Sequence, residues 1–286
     1  MKNNKFPFLS TELSKKELKE DLAKYHILPI PLEKSVTFGK GTRNGPRAIL
    51  KASQELERSM ENFEPCKRGI FTYPNLDCSE NIGTVLSTIE NKAYKIAKQG
   101  KIPIGIGVEH TLTYPLVKGI QKALEIDNEE IGIIQIDAHA DLRKCYQGKK
   151  YSHASVMYLL ASEKFKIFQV GVRSISNEEQ KNRTKFNVSF LDKSKNIKLP
   201  KNFPKKIYIT FDSDGLDPSV MPATGTPVPR GLSYEDSIKI LTKLIKDRHV
   251  LGFDYVEFVP VKDMIAYEFI SANLIYNIIA IIELNS

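Results

Sequence analysis

The run Ile131-Gly-Ile-Ile-Gln-Ile-Asp137-Ala-His139-Ala-Asp141 decides how this chain is read. An apolar segment of strand length closes on three metal-type side chains at alternate positions. In extended backbone such residues point to one face, so Asp137, His139 and Asp141 can converge on one point. Two other apolar runs end in a similar way. Ile209-Thr-Phe-Asp212-Ser-Asp214 brings two aspartates together by the same alternation, and Gly105-Ile-Gly-Val-Glu109-His110 closes on a polar tip.

Around these tips, short apolar runs alternate with helical ones. The spacing predicts strands at Ile102–Val108, Ile131–Asp137, Ile167–Val172, Val188–Leu191, Ile207–Asp212 and Val250–Phe258. Helices are expected at Ile82–Gln99, Tyr114–Leu124, Val156–Glu163, Tyr234–Lys246 and Ile265–Leu284, with another opening at Pro46. Alternation over this length implies an α/β fold, a mostly parallel sheet with helices on both faces. In such sheets ligands gather beyond the carboxyl ends of the strands, so all three tips can share one crevice. A single domain over 1–286 is expected, with residues 1–36 as an N-terminal extension packed on it. That extension holds a Lys/Glu-rich amphipathic opening near Ser14–Tyr25 and the Pro-bracketed Leu28-Pro-Ile-Pro-Leu32.

Composition narrows the function classes. The chain has 286 residues, 41% hydrophobic and 27% charged, which argues against disorder. Three cysteines without a C-x-x-C pair offer neither a disulfide framework nor a zinc knuckle. The 42 basic against 34 acidic residues give +8. Much of the excess lies in Lys193, Lys195, Lys198, Lys201, Lys205 and Lys206, with no aromatic platform or nucleic-acid-binding motif, so a solvated surface is expected and no nucleic-acid partner. No uninterrupted apolar run approaches membrane-span length, and the Met1–Lys5 flank has no apolar region behind it. A cytoplasmic protein without a membrane partner is the expectation.

Taken singly, an aspartate at a strand end is a turn former or a helix cap. Four aspartates facing one another are different, because burying them without counterions is costly. Two divalent cations would neutralise four carboxylates and leave two neutral imidazoles. Such a donor set favours manganese, with nickel, cobalt or iron behind it. Paired ions acidify a shared water, which implies hydrolysis of an unreactive electrophile. His153, in Tyr151-Ser-His-Ala-Ser155, could then shuttle a proton, and Glu257, closing Gly252-Phe-Asp-Tyr-Val-Glu257, could hold a cationic substrate group.

In this order the blocks resemble the ureohydrolases, the family of arginases and agmatinases that release urea from guanidino compounds. The most specific block is Phe211-Asp-Ser-Asp-Gly-Leu-Asp-Pro-Ser-Val-Met-Pro-Ala-Thr-Gly-Thr-Pro227. The resemblance implies a three-layer α/β/α sandwich, assembled as a homo-trimer or homo-hexamer. It implies two Mn2+ per subunit: His110, Asp137, Asp141 and Asp212 hold one, and Asp137, His139, Asp212 and Asp214 the other. It makes Asp141 a proton carrier to the leaving amine, Glu257 the guanidinium partner and His153 a proton-transfer residue. Asp217 reads as a turn cap or outer support.

Within the family the chain is most similar to agmatinases, through Phe38-Gly-Lys-Gly-Thr-Arg-Asn-Gly-Pro-Arg47 and Asp141-Leu-Arg-x-x-Tyr-x-Gly-x-x-Tyr-Ser-His153. That implies a small cationic guanidino substrate, agmatine, cleaved to urea and putrescine. Ser174 and Ser176 follow Gly171-Val-Arg173 without a carboxylate until Glu178, which argues against arginine. The alternatives are 4-guanidinobutyrate, guanidinopropionate, guanidine, arginine, or an inactive metal-binding relative. Val108, Ala154 and Val228-Pro-Arg230-Gly depart from the usual pattern and bear on specificity. Arg143, Lys144, Lys149 and Lys150 form a basic loop beside the site, read first as a solvated loop and second as a set of cations that favour a carboxylate tail. Cys145 reads as a buried, inert thiol.

Overall fold

The computed structural model describes residues 5–34, 42–60, 62–191 and 197–285. Eight strands form one sheet: β1 (Tyr25–Ile30), β2 (Ile70–Thr72), β3 (Ile102–Gly107), β4 (Ile131–Ile136), β5 (Lys166–Val170), β6 (Ser189–Phe190), β7 (Lys206–Asp212) and β8 (His249–Val256). Their order is β2-β1-β3-β8-β7-β4-β5-β6, and every paired neighbour runs parallel. The central strands are buried along nearly their whole length, which their continuous Ile, Val and Phe content anticipates.

Among the described residues seven α-helices cover the faces: α1 (Gly45–Ala52), α2 (Ile82–Lys98), α3 (Thr113–Leu124), α4 (Val156–Ser162), α5 (Asn177–Lys185), α6 (Tyr234–Ile245) and α7 (Ala266–Leu284). One face packs Ile134, Ile136, Ile209, Phe211, Phe253 and Tyr255 against α1, α6 and α7 in a single apolar core. On the other, Ile131, Ile133, Tyr208 and Val256 meet α2, α3 and α4. This is the expected three-layer sandwich. Helix starts follow their caps: Asn81 accepts from Thr84 N, Ser233 from Asp236 N, and Ser176 with Glu179 closes a capping box.

The expected strands and helices occur with boundaries shifted by a few residues at most. Besides the three-residue β2, three features do not follow from apolar patterning. Residues 25–30 are not part of an extension laid on the domain. They form β1, inside the sheet between β2 and β3, and Phe8 and Leu9 before them are fully buried. The amphipathic opening before β1 folds as successive turns. Within β1, Pro29 keeps its carbonyl bonded to Leu76 N and sits past the three residues that β2 pairs, so its missing N–H breaks no rung there. The third is α5, a polar helix with no apolar stripe.

α7 is long and apolar enough to cross a bilayer by length and composition, but its residues from Ser271 to Ile282 are largely buried in the core. Lys198, Lys201 and Lys205 are exposed, as a solvated surface requires, whereas Lys193 and Lys195 lie outside the described residues, as does the loop from Phe38 to Lys40 and its neighbour Gly41.

Candidate metal centre

The three polar tips meet at the carboxyl end of the sheet, but not by simple strand alternation. β4 ends at Ile136, and Asp137, His139 and Asp141 follow in a bend. His139 bridges to Ser174 beyond β5, and Asp141 adopts a left-handed φ of 50°. That conformation is uncommon for a residue with a Cβ, and α4 over-determines it: Met157 N and Tyr158 N both donate to the Asp141 carbonyl at 3.1 Å. After β7 the chain turns through Ser213–Gly215 as a short 3-10 segment, and Asp212 Oδ1 accepts from Asp214 N at 2.9 Å. The β3 tip splits: His110 turns inward, while Glu109 is buried and accepts from Lys34 N and Thr111 Oγ1.

The result is a cluster with two centres. His110 Nδ1 lies 3.1 Å from Asp137 Oδ2, 2.9 Å from Asp141 Oδ2 and 3.6 Å from Asp212 Oδ2. His139 Nδ1 lies 2.9 Å from Asp214 Oδ2 and 3.7 Å from Asp137 Oδ1. Ligand atoms of His110, Asp137 and Asp212 fall within one metal-sized group, and those of Asp137, His139 and Asp214 within another. Asp137 belongs to both, one oxygen toward each. Asp212 belongs only to the first, and its other oxygen is engaged by Asp214 N.

The electrostatics are those of a site short of positive charge. Burial pushes Asp212 well above the usual carboxylate range, with Asp214 and Asp137 adding like charge. Burial and the Asp137 charge raise Asp214 as well. Burial alone would push the His110 imidazole down, yet the attraction of Asp137 and Asp141 holds it well above its ordinary value. Despite those short distances, His110 Nδ1 makes no hydrogen bond of proper direction, one of three such buried atoms among the described residues. A nitrogen that draws positive charge and has no hydrogen bond, ringed by carboxylate oxygens, is a donor set that suits a metal ion. The residues fit the group.

Glu257 follows β8 at a φ of 62°, with its N–H on Val108 O at 2.8 Å and its Oε1 accepting from His110 N at 2.9 Å. Burial pushes its carboxyl up to about 8, the His110 N–H opposing and Glu109 adding to the rise. His153 opens the turn before α4, with Tyr146 edge-on at 5.4 Å between centroids. Both line a cleft of about 170 Å³ that also takes in His110, His139, Asp141, Asp212 and Asp214. Every residue expected in the site except Asp137 lines this cleft. Asp137 lies beneath it, fully buried.

Other expectations need correction. Of the basic loop, only Arg143 lines the cleft; Lys149 donates to Lys34 O, and Lys149 and Lys150 border a different depression. Arg230 is exposed and outside the lining, though the carbonyls of Val228 and Pro229 nearby anchor Arg173. Cys145 is exposed rather than buried, because it lies in the loop that follows β4, between the cleft-lining residues Arg143 and Tyr146. Asp217 caps a turn, accepting from Ser219 N, Ser219 Oγ and Gly231 N.

Some contributors carry no motif. The Arg173 guanidinium donates to the carbonyls of Asp214, Leu216, Val228 and Gly171, clasping the Asp214 turn to the cleft mouth. Gln135 and Thr210 stand two residues before Asp137 and Asp212, on the same face of their strands. Extending the alternation one step inward would have found them.

The comparisons with known proteins bear on the family and the fold. The chain is 33% identical over 273 residues to the N(1)-aminopropylagmatine ureohydrolase of Thermus thermophilus, covering 91% of this chain and 90% of that protein. It is 31% identical over 256 residues to the agmatinase of Bacillus anthracis, covering 83% and 84%. The crystal structure of the agmatine ureohydrolase of Thermoplasma volcanium matches with a TM-score of 0.83 at 29% identity, over 96% of this chain and 97% of that one. Residues 23–280, from β1 to the last turns of α7, match the model of the Arginase family. By sequence and by fold, the chain belongs to the arginase family.

Proposed function

We propose that this chain is a binuclear manganese ureohydrolase that cleaves the guanidino group of agmatine to urea and putrescine. The observation that carries the reading is the His110 nitrogen, buried among three carboxylates with no hydrogen bond of its own. His110, Asp137, Asp141 and Asp212 would hold one ion, and Asp137, His139 and Asp214 the other, which Asp212 would join by turning its second oxygen away from Asp214 N. Carboxylates with two imidazoles favour manganese over nickel, cobalt or iron. When bound, the ions supply an acidified water and positive charge beside the scissile carbon.

The chain's own residues do the rest. Glu257, its orientation fixed by the His110 N–H, pairs with the guanidinium. Asp141 holds the proton taken from water and passes it to the leaving nitrogen, and His153 exchanges protons with the departing amine. Of the five carboxylates that line the cleft, Asp141, Asp212 and Asp214 are taken up by the ions, which leaves Glu257 as the one that suits a cationic substrate group. Buried Glu179, 3.9 Å from Arg143, offsets that arginine.

A second reading has its own support. The Thermus thermophilus relative named for N(1)-aminopropylagmatine is 33% identical over 91% of the chain, against 31% over 83% for the Bacillus anthracis agmatinase. On that reading the amine tail is longer by an aminopropyl group. A homo-trimer or homo-hexamer belongs to the same proposal, tested by light scattering, as does a cytoplasmic setting, which three unpaired thiols suit.

Urea release by the manganese-loaded protein should be measured on agmatine, N(1)-aminopropylagmatine, 4-guanidinobutyrate, arginine and guanidine at matched concentrations. The two amine-tailed compounds should exceed the others by at least about tenfold, and the faster of the pair decides between the readings. Preference for 4-guanidinobutyrate would overturn the amine tail, and silence on all five would overturn the activity. Asp137→Asn should abolish urea release; unchanged turnover would sink the metal assignment.

A further inference from the structure

Beneath the metal-type tips, a row of polar side chains crosses the sheet in register. Asp254 on β8 is the Cα partner of Thr210 on β7, Thr210 of Gln135 on β4, and Gln135 of Gln169 on β5. Partners in a parallel ladder share a face, and all four are buried to 1% exposure or less. In a sheet covered on both sides these positions are ordinarily apolar, and each buried polar group is costly unless paired. Here all four are paired, and the pairing has a direction.

One branch starts at a carboxylate. Asp254 accepts from Tyr208 Oη at 2.7 Å, Thr113 Oγ1 at 2.8 Å and Thr210 Oγ1 at 2.6 Å. A hydroxyl has one proton to give, and Thr210 gives its proton to Asp254. The contact of 2.7 Å between Thr210 Oγ1 and His110 Nε2 is therefore one in which the imidazole donates. With a proton held on Nε2, His110 leaves Nδ1, which faces Asp137, Asp141 and Asp212, as the nitrogen that can present a lone pair to an ion.

The other branch starts at a guanidinium, which can only donate. Arg183 gives two hydrogen bonds to Gln169 Oε1, at 2.7 and 3.1 Å. That fixes the Gln169 amide, whose Nε2 donates to Gln135 Oε1 at 2.7 Å. The Gln135 amide is fixed in turn, and its Nε2 donates to Asp137 Oδ2 at 2.8 Å. Both branches begin at a group of unambiguous polarity and end on a member of the cluster.

We propose that this row is the positioning layer of the metal centre. Asp254, acting through Thr210, sets the tautomer of His110, and Arg183, acting through Gln169 and Gln135, sets which lone pairs Asp137 presents. The inference rests on the metal-centre reading above and adds to it residues that touch neither ion nor substrate. Outer partners of this kind govern how tightly a ligand holds its metal. Filling space does not account for the row, because valine in place of Thr210 would fill the same volume.

The test is a titration of manganese into the metal-free protein, followed by calorimetry and by manganese paramagnetic resonance, with melting curves of the metal-free forms alongside. Wild type should take up two ions per chain. Thr210→Val should weaken the ion held by His110 by roughly 10–100-fold while keeping the other, and its metal-free form should stay folded, melting a few degrees below wild type because Asp254 and His110 Nε2 each lose a buried partner. Thr210→Ser, which restores the hydroxyl, should restore the affinity. Gln135→Met should weaken both ions, since Asp137 belongs to both groups, and it keeps the proposal testable if Thr210→Val fails to fold. Wild-type affinity in Thr210→Val or in Gln135→Met, or a Thr210→Ser variant as weak as Thr210→Val, would overturn the positioning layer and leave the metal centre standing. A wild-type chain that takes up no manganese would overturn the metal centre itself, and this inference with it.

Discussion

The two ends of the sheet handle buried charge in opposite ways. At the amino end the largely buried carboxylates Glu17 and Glu283 each meet a cation. Arg58 grips Glu17 with two nitrogens, at 2.6 and 3.1 Å, and reaches Glu64 at 3.2 Å, while Lys24 Nζ and Tyr25 Oη both donate to Glu283. The Arg58 hydrogen bond outweighs burial there and holds the Glu17 carboxyl down at about 2. At the carboxyl end, burial and mutual repulsion push Asp212, Asp214, Asp141 and Glu257 up, and the described residues there bring too little positive charge to compensate. A fold that settles its charges in one place and leaves them opposed in another has kept the second for a cation. Functional sites are where such local conflict is tolerated.

The largest consequence is that cations should stabilise the carboxyl end. A site-bound ion at about a hundred times its dissociation constant contributes about 2.7 kcal/mol, and two contribute about twice that. For a chain of this size the melting temperature should rise by roughly 10 °C between chelator-treated and manganese-loaded protein. An unchanged melting curve would break the contrast between the two ends. Next in size is a substitution that trades function for stability. Asp212→Asn should abolish urea release yet stabilise the metal-free protein by about 1–3 kcal/mol, because one opposed carboxylate is gone. Calorimetric melting of both forms in chelator decides it, and a less stable metal-free variant would show that the carboxylates there are already compensated.

How much of this was legible in the sequence follows the same division. The tips could be read because each ends an apolar run, and period-two spacing carries through to Asp212. The bend at Asp137–Asp141 could not, because its convergence depends on α4 donating to the Asp141 carbonyl and on Ser174 pairing with His139, contacts made across the chain. β1 was hidden by its prolines, which local patterning counts against a strand and which only the short reach of β2 excuses. β2 is three residues long, below what periodicity resolves. α5 has no apolar stripe, so only the capping box of Ser176 and Glu179 announces it. Asp254 and Thr210 read as interruptions of apolar strands until register lines them up. Local signals found what chemistry places at strand ends, and tertiary pairing supplied the support beneath.

The smallest effect belongs to the amino end, and it has a definite sign in pH. Glu17 has a folded value of about 2 against an ordinary 4.5, lowered first by the Arg58 hydrogen bond. Its contribution to stability is therefore present above pH 4.5 and is lost as the pH falls through about 2. The pair is partly open to solvent, so screening leaves roughly 0.5–1 kcal/mol. Glu17→Gln should lower stability by that amount at pH 7, and the difference from wild type should shrink steadily below pH 4.5 and vanish near pH 2. Denaturant titrations of the metal-free proteins across this range isolate the amino end from the cation site. A difference that persists undiminished at pH 2 would mean that Glu17 acts there through packing, and that the two ends differ less in electrostatics than the distances imply.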